Sequence, residues 1–129
     1  MSASGTPDFK VKVSRLVKRA DFLRLSRGRR WSAPGLVLQR APASEPSDAL
    51  RVGFTATKKL GGAVVRNRVK RRLREAAHAV LPLLGQRGHD YVLVGREATA
   101  ERPFVALIDD LKQALRKVHG ARPTKAEER

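Results

Sequence analysis

The residues best suited to chemistry in this sequence are cations concentrated between residues 57 and 77. Eight lysines and arginines fall in this segment, and Glu75 is the one acid among them. They are Lys58, Lys59, Arg66, Arg68, Lys70, Arg71, Arg72 and Arg74. Like charges this close repel one another, and phosphates relieve that repulsion because guanidinium and ammonium groups both bind phosphate oxygens. The segment therefore predicts a polyanion-binding surface.

The charge of the whole chain supports the same interpretation. Its 129 residues include 28 Lys and Arg against 12 Asp and Glu, for a formal net charge of +16. This balance argues against an enzyme for small neutral substrates and makes nucleic acid the first candidate partner, with an anionic membrane surface second. The absence of cysteine excludes disulfides and thiolate zinc sites. With no secretory signal and no apolar run long enough to span a bilayer, the sequence predicts a cytoplasmic protein.

Side chains that could cleave RNA directly are not arranged for it in the sequence. His78, His89 and His119 lie far apart without metal-ligand spacing, and we expect them at the surface or at helix ends. The adjacent acids Asp109 and Asp110 are expected on a solvated helix face. We therefore predict no catalytic and no metal-binding residue in the polypeptide.

A long helix must position the cations. It is predicted to follow Gly61 and Gly62 and to end near Pro82 and Gly85. At about 100° per residue, its apolar side chains fall on one stripe. The stripe consists of Val65, Val69, Leu73, Ala76 and Val80. The helix can therefore bury one edge and present its cations on the rest of its surface.

One row of cations, formed by Arg66, Lys70 and Arg74, recurs at every fourth position beside that stripe. The first turns of a helix carry positive partial charge, which disfavours each nearby cation by about 0.3–1 kcal/mol. A phosphate docked there would relieve this penalty and accept hydrogen bonds from the free N–H groups of the first turn. A merely solvated charged face is the alternative, but Glu75 near Arg71 is the one acid placed to pair along the helix.

The other segments predict a small α+β domain. We expect a short helix over residues 18–27, strands over 36–38, 51–57 and 91–94, and a last helix over 103–119. The resulting order, α-β-β-(β)-α-β-α, corresponds to a compact two-layer sandwich with helices packed on a mixed sheet.

The two ends of the chain differ in composition from the middle. Residues 1–14 are small and polar before a short Lys-Val alternation, and residues 120–129 follow the predicted stop of the last helix. Both are predicted to be flexible. Residues 15–119 then form one domain with a modest single core.

Four segments together resemble the bacterial ribonuclease P protein family. The most specific is KKLGGAVVRNRVKR at residues 58–71. RLVKRADFLRLSRGRR at residues 15–30 resembles the family's first helix, and RVGFTATKK at residues 51–59 resembles the strand before the signature. GHDYVLVGREAT at residues 88–99 resembles a later strand, so the resemblance covers most of the chain.

The resemblance implies a left-handed β-α-β crossover and a protein subunit that assists an RNA enzyme. The partners would be ribonuclease P RNA and the 5′ leader of precursor tRNA, with no membrane partner. The protein would be a monomer in a one-to-one ribonucleoprotein that removes the leader endonucleolytically. Catalysis and Mg²⁺ would belong mainly to the RNA. By the same resemblance, the RNA-binding residues are Lys58, Lys59, Arg66, Asn67, Arg68, Lys70, Arg71 and Arg74.

A leader cleft is the second site that the resemblance implies. Its expected residues are Phe22, Lys18, Trp31 and Gln39. Many members carry a second aromatic residue where this chain has Ser26, and often a Tyr where it has Gln39. Trp31 is the expected substitute for the missing ring.

Two other classes of protein share the basic composition. A structural RNA-binder such as a ribosomal protein would have the charge but no need of the RNR segment at residues 66–68. A DNA-binding domain would carry base-reading side chains on its recognition helix. The exposed face of the predicted helix is almost wholly Arg and Lys, which favours phosphate recognition.

Overall fold

The computed structural model describes residues 11–120 as one mixed sheet of five strands with three α-helices. The strands and helices alternate irregularly along the chain. They are β1 (Lys12–Arg15), α1 (Arg19–Ser26), β2 (Arg29–Ser32), β3 (Leu36–Pro42), β4 (Ala49–Thr55), α2 (Ala63–Leu84), β5 (His89–Gly95) and α3 (Phe104–His119). Two 3-10 turns, Lys58–Leu60 and Glu97–Ala100, precede α2 and α3. The predicted α+β class with a mixed sheet is confirmed.

The strand order across the sheet is β1-β4-β5-β3-β2. β4 pairs in parallel with both β1 and β5, whereas β3 pairs antiparallel with β5 and β2. The helix α2 therefore crosses over between adjacent parallel strands, β4 and β5. The left-handed sense of this crossover stays a prediction from the resemblance.

Helices cover the two faces of the sheet unequally. Strand residues such as Leu38 and Leu93 point to the face covered by α2 and α3, where the main core lies. Their neighbours point the other way, since side chains alternate along a strand. On that second face, Leu25 of α1 packs with Leu16 and Val92 in a smaller core. Because α1 has eight residues, it leaves part of this face open.

The long helix begins and ends where predicted, and its buried pattern differs from the prediction only in the first turn. Val69, Leu73 and Val80 are buried as expected, but Val65 is 38% exposed. Val65 lies in the first turn, against the preceding 3-10 segment rather than the core. Pro82 lies inside the last turn, and the helix ends at Gly85, whose N–H donates to the carbonyl of Leu81.

The sequence analysis missed β1, and it gave no bounds for β2, although the predicted order allowed one more strand between α1 and α2. β1 contains residues 12–14 of the segment predicted to be flexible, and it pairs with β4 while Val13 packs on the main core. β2 pairs with β3 at the far edge of the sheet. Both are strands of four residues rich in Lys or Arg, too short and too charged to show clear alternation. The remaining predicted flexible residues, 1–10 and 121–129, lie outside the described part.

No helix between residues 11 and 120 is both long enough and apolar enough to cross a bilayer.

Candidate nucleic-acid interface

One flank of α2 faces an open groove beside the sheet. Lys70 and Arg74, two members of the predicted row, line this groove, whose volume is about 340 Å³. The other lining residues come from the β1–α1 segment, α1 and β4: Arg15, Leu16, Val17, Phe22, Val52, Gly53 and Phe54. The groove therefore combines cations from α2 and Arg15 with two aromatic rings.

The ring of Phe22 lies directly on β4 at Gly53. A Cβ built on Gly53 would be 2.5 Å from Cζ of Phe22, so any larger residue would displace the ring. Phe22 is only half-buried and belongs to the smaller core with Leu25. One part of the ring is therefore held by packing while another part borders the open groove.

The ring of Phe54 carries a cation on its face. The guanidinium carbon of Arg74 lies 5.6 Å from the ring centroid, within the range of a cation–π contact. Arg74 is exposed, and it forms no ion pair with any carboxylate of residues 11–120. Its charge is therefore placed at the groove without being neutralised there.

A buried carboxylate fixes the position of α1 relative to the sheet. Asp90 of β5 is fully buried and accepts two hydrogen bonds from Arg51, at 3.0 and 2.7 Å, and one from Arg24 of α1, at 2.5 Å. Burial alone would raise the pKa of Asp90, but the hydrogen bonds from Arg51 and Arg24 outweigh it and lower the pKa. Asp21, the residue before Phe22, contacts both arginines, at 3.1 Å from Arg24 and 3.5 Å from Arg51. We refer to these four residues as the Asp90 cluster; it ties the helix that carries Phe22 to β4 and β5.

The other flank of α2 contacts the loop before α3. Nε of Arg68 donates to the carbonyl of Ala100 at 3.1 Å, and Arg72 donates to the carbonyl of Arg102. Arg102 in turn forms two hydrogen bonds with Asp110, whose carboxylate also accepts the N–H of Gly35 at 3.0 Å. Arg68 keeps its terminal nitrogens available, since a guanidinium has five N–H donors.

The start of α2 carries positive charge and no acid in its first turn. Lys58 and Lys59 are exposed in the 3-10 turn just before it. Gly61 joins the two elements with a φ of 139°, a conformation that other residues rarely adopt. The predicted glycine turn therefore exists, and it leaves the first N–H groups of α2 beside two lysines.

The remaining predicted RNA-binding residues lie on the outer surface of α2. Asn67 and Arg71 are exposed, and Arg66 is half-buried. None of the predicted cations of this helix forms an ion pair with a carboxylate of residues 11–120. The structure thus brings the whole predicted set onto one helix and the turn before it.

The predicted leader-cleft residues do not all come together. Gln39 is buried on β3 and points to the same face as Val92 of the smaller core, the face that α1 covers. Lys18 is exposed at the start of α1. Trp31 pairs with Leu38 and packs against the main core on the opposite face.

This position of Trp31 corrects the sequence interpretation. Trp31 cannot replace a ring in the groove of Phe22, because it lies on β2, at the opposite edge of the sheet from β1, whose Arg15 lines the groove. Lys117 of α3 lies over its ring, 5.2 Å from the centroid. The sequence gave neither the bounds nor the register of β2, and without them the position of Trp31 in the sheet could not be known.

Several residues of the interface were missed or misplaced by sequence reasoning. Arg15 and Phe54 line the groove but had been assigned no role in it. Asp110, predicted on a solvated face, is buried against Arg102. An acid beside a distant arginine gives no local signal, because residues eight or more positions apart meet only in the folded chain.

His119 is the last residue of α3, a predicted helix-end position, but it contacts His89, which the sequence places far away. Their rings lie 4.8 Å apart edge to face, and Nε2 of His119 is 2.5 Å from the hydroxyl of Tyr91. Burial, and after it the neighbouring charges of Arg40, His89 and Arg29, together lower the pKa of His119 to about 4. The pair lies at the end of α3, and neither ring lines the groove.

Metal binding by the protein itself does not fit the described side chains. Among residues 11–120, no group of three or more His, Asp or Glu could hold a metal ion. The buried carboxylates Asp21, Asp90 and Asp110 are already neutralised by arginines.

Sequence comparison identifies related proteins over nearly the whole chain. The Ribonuclease P family model matches residues 11–119. The ribonuclease P protein component of Paramagnetospirillum magneticum is 52% identical over 122 residues, covering 92% of each chain. That of Ruegeria pomeroyi is 53% identical over 113 residues, covering 86% of this chain and 90% of its own.

The fold is similar to that of solved ribonuclease P proteins. The Thermotoga maritima protein superposes with a TM-score of 0.68 at 25% identity, covering 83% of this chain and 99% of its own. The Staphylococcus aureus protein superposes with a TM-score of 0.67 at 27% identity, covering 84% of this chain and 100% of its own. Family model, sequence identity and fold agree, and this chain belongs to the bacterial ribonuclease P protein family.

Proposed function

We propose that this protein binds ribonuclease P RNA with the cationic surface of α2 and holds the 5′ leader of precursor tRNA in the groove of Phe22. The observation that carries this proposal is the groove itself. A half-buried aromatic ring there meets two α2 cations, Lys70 and Arg74, that have no carboxylate partner in residues 11–120. The product of the cleavage that this protein assists would be the mature 5′ end of the tRNA.

The leader is an unpaired strand, and the groove suits an unpaired strand better than a duplex. A base can stack on the ring of Phe22 only when it is free of its pairing partner, and such stacking contributes roughly 1–3 kcal/mol per base. Lys70, Arg74 and Arg15 are placed to bind the phosphates that flank this base. Phosphate contacts position the strand without reading its sequence.

The remaining cations of α2 are available for the larger RNA. Arg71 and Asn67 face solvent, as do Lys58 and Lys59 at the start of the helix. Their phosphate contacts would release counterions, so assembly should weaken steeply as salt increases. Reversing the charge of Arg66 or Arg68 is expected to weaken assembly in the same way.

The protein's contribution to cleavage is positional and electrostatic. We place the catalytic centre and the Mg²⁺ ions in the RNA subunit, and no step of the proposal passes through a metal bound by the protein. By holding the leader, the protein raises the affinity of the holoenzyme for its substrate and lowers the magnesium concentration that cleavage requires. We further propose one copy of the protein per RNA, acting in the cytoplasm.

Reconstitution tests this function. The protein is mixed with a bacterial ribonuclease P RNA and precursor tRNA at low magnesium, and leader release is followed with and without the protein. We expect cleavage only when both components are present, and reduced substrate affinity with Phe22→Leu. Tight RNA binding without rescue of cleavage would instead indicate a structural RNA-binder.

A further inference from the structure

The groove of Phe22 continues into a second cavity of about 280 Å³. The two cavities share Arg15, Val52, Phe54 and Arg74, so they adjoin along the ring of Phe54 and its stacked guanidinium. The second cavity is lined by β1, β4 and α2, and Phe22 does not line it. It exists because β1 adds to the edge of the sheet beneath α2.

The lining of the second cavity is mostly apolar and includes a few polar groups. Val13 and Ala77 contribute aliphatic surface beside Phe54. The hydroxyl-bearing Ser14 and the exposed His78 supply hydrogen-bonding groups. A small, largely apolar cavity with a few polar groups is typical of a ligand site, and a flat, partly polar ring is compatible with this lining.

The size and charge of the cavity restrict its ligand further. Its volume falls just below the range of about 300–1,000 Å³ that drug-sized ligands occupy. Arg15 and Arg74, which line both cavities, form no ion pair with any carboxylate in residues 11–120. A ring that enters here would therefore place an attached anionic group against two free cations.

We propose that this cavity, called here the β1 pocket, binds one unpaired nucleobase of the RNA strand that lies in the groove. The base inserts against the face of Phe54, its phosphates contact Arg15 and Arg74, and its polar edge meets Ser14 and His78. The proposal rests on the proposed function, because the strand is the precursor tRNA leader. It adds a second base site, with its own polar groups, to the one at Phe22.

Two base sites in one groove predict two leader positions at which the base itself matters. The test uses the reconstituted holoenzyme and a series of precursor tRNAs, each with a single abasic nucleotide in the leader. With the wild-type protein, we expect abasic substitution to weaken binding about tenfold at two separate positions, in line with one lost stacking contact each. Substitution elsewhere in the leader is expected to have little effect.

Protein variants assign each position to its pocket. With Phe22→Leu, the abasic penalty should fall to about twofold or less at one position and persist at the other. With Phe54→Leu or His78→Ala, the pattern should reverse. Gln113→Ala, an exposed polar residue of α3 that lines neither cavity, is the matched control and should leave both penalties unchanged. Circular dichroism confirms that each variant is folded, and His78→Ala keeps the test valid if Phe54→Leu is not.

The outcomes separate this proposal from the proposed function. A single sensitive position that depends on Phe22 alone would overturn the β1 pocket and leave leader binding intact. A second sensitive position whose abasic penalty is unchanged by both Phe54→Leu and His78→Ala would also overturn it. A second position that appears only after deletion of residues 1–10 would show that the chain's own N-terminal segment fills the pocket, and the proposal would again be overturned. If no leader base matters and leader length has no effect, the proposed function itself fails.

Discussion

The arginines of the Asp90 cluster and the exposed arginines along α2 differ in whether a carboxylate lies beside them. Arg24 and Arg51 converge on the buried carboxylate of Asp90 at 2.5 and 2.7 Å. Arg71 and Arg74 lie exposed on α2 with no carboxylate partner among residues 11–120. In the first region carboxylates balance the positive charge, and in the second no carboxylate of residues 11–120 does so.

The difference shows how a chain with a net charge of +16 can fold. Its buried acids are placed where arginines must hold elements together: Asp90 between α1, β4 and β5, and Asp110 between α3 and the loop before it. On α2, where RNA is proposed to bind, Glu75 is the one acid. Arg68 and Arg72 are intermediate, since they bind backbone carbonyls rather than carboxylates.

The largest expected effect breaks the balanced side of this comparison. Asp90→Asn removes the fully buried carboxylate shared by Arg24 and Arg51 and leaves Asp21 as their remaining partner among residues 11–120. It should destabilise the fold by about 3 kcal/mol, because breaking a buried ion pair leaves charge uncompensated. Urea unfolding monitored by circular dichroism measures this loss. Asp109→Asn, which changes an exposed acid of α3, is the control and should cost little. Equal stability of the two variants would mean that the Asp90 cluster does not hold α1 in place.

The next largest effect is expected from the cations of α2 that have no carboxylate partner among residues 11–120. Lys70→Glu combined with Arg74→Glu should weaken binding of ribonuclease P RNA and precursor tRNA roughly 100-fold, by removing two charge-assisted contacts to phosphates. Stability should change little, since neither side chain has an ion pair to lose within residues 11–120. Filter binding over a salt series measures the affinity and should show a smaller salt slope for the variant.

A matched control exists on α3. Lys112→Glu combined with Arg116→Glu has the same charge change at the same spacing, but away from the groove. If both double variants lose the same affinity, net charge alone drives binding and the groove has no special role.

A smaller effect is expected at the intermediate arginines. Arg72→Ala removes the hydrogen bond to the carbonyl of Arg102 and should lower the free energy of unfolding by about 1.5 kcal/mol. Affinity for RNA should change by no more than about twofold, in contrast to the large loss expected for the variant of Lys70 and Arg74. Thermal unfolding and filter binding on the same preparation compare the two. A large loss of affinity with unchanged stability would place Arg72 among the RNA-binding cations.

The smallest expected effect concerns His119, whose side chain is kept neutral by burial. Burial among Arg40, His89 and Arg29 lowers the pKa of His119 from 6.5 to about 4. Between these values the unfolded chain binds a proton on His119 that the folded chain does not, so this residue reduces stability as pH falls from 6.5 towards 4. The pKa of Asp90 is lowered as well, but its contribution is lost only below its ordinary value of 3.8.

Melting temperatures measured from pH 7 to pH 4.5 test this assignment. His119→Gln, which retains a group able to bond with Tyr91, should show a shallower decline than the wild type over this range. The same decline in both proteins would show that other groups control the acid sensitivity.

The sequence was sufficient where the signal is local and repeated. The apolar residues of α2 recur at helical spacing over 22 residues, so its buried stripe and its rows of cations could be placed in advance. The glycine turn before it and the final helix up to Gly120 could be placed in the same way. Family resemblance then added the groove residue Phe22, which has no distinguishing local pattern.

The sequence was insufficient where the contact is distant. β1 and β2 are four residues each, and their identity as strands depends on β4 and β3 as partners. The faces of Trp31 and Phe54 follow from that pairing, so neither could be assigned to a cavity beforehand. Asp110 meets Gly35 across 75 positions of the chain, which explains why an acid predicted to face solvent is buried.

What the sequence by itself determined is the chemical character of the protein: a helix of unbalanced cations, its apolar stripe, and a charge that requires a polyanion. These depend on residue type and on spacing within one helix, and both can be read without knowing the fold. Only the tertiary structure decided which cations remain free, because that depends on where Asp90, Asp110 and the loop carbonyls lie. It also decided that Arg15, Phe22 and Phe54 meet Arg74 in one groove, because strand pairing and the buried Asp90 cluster bring together residues that are far apart in the chain.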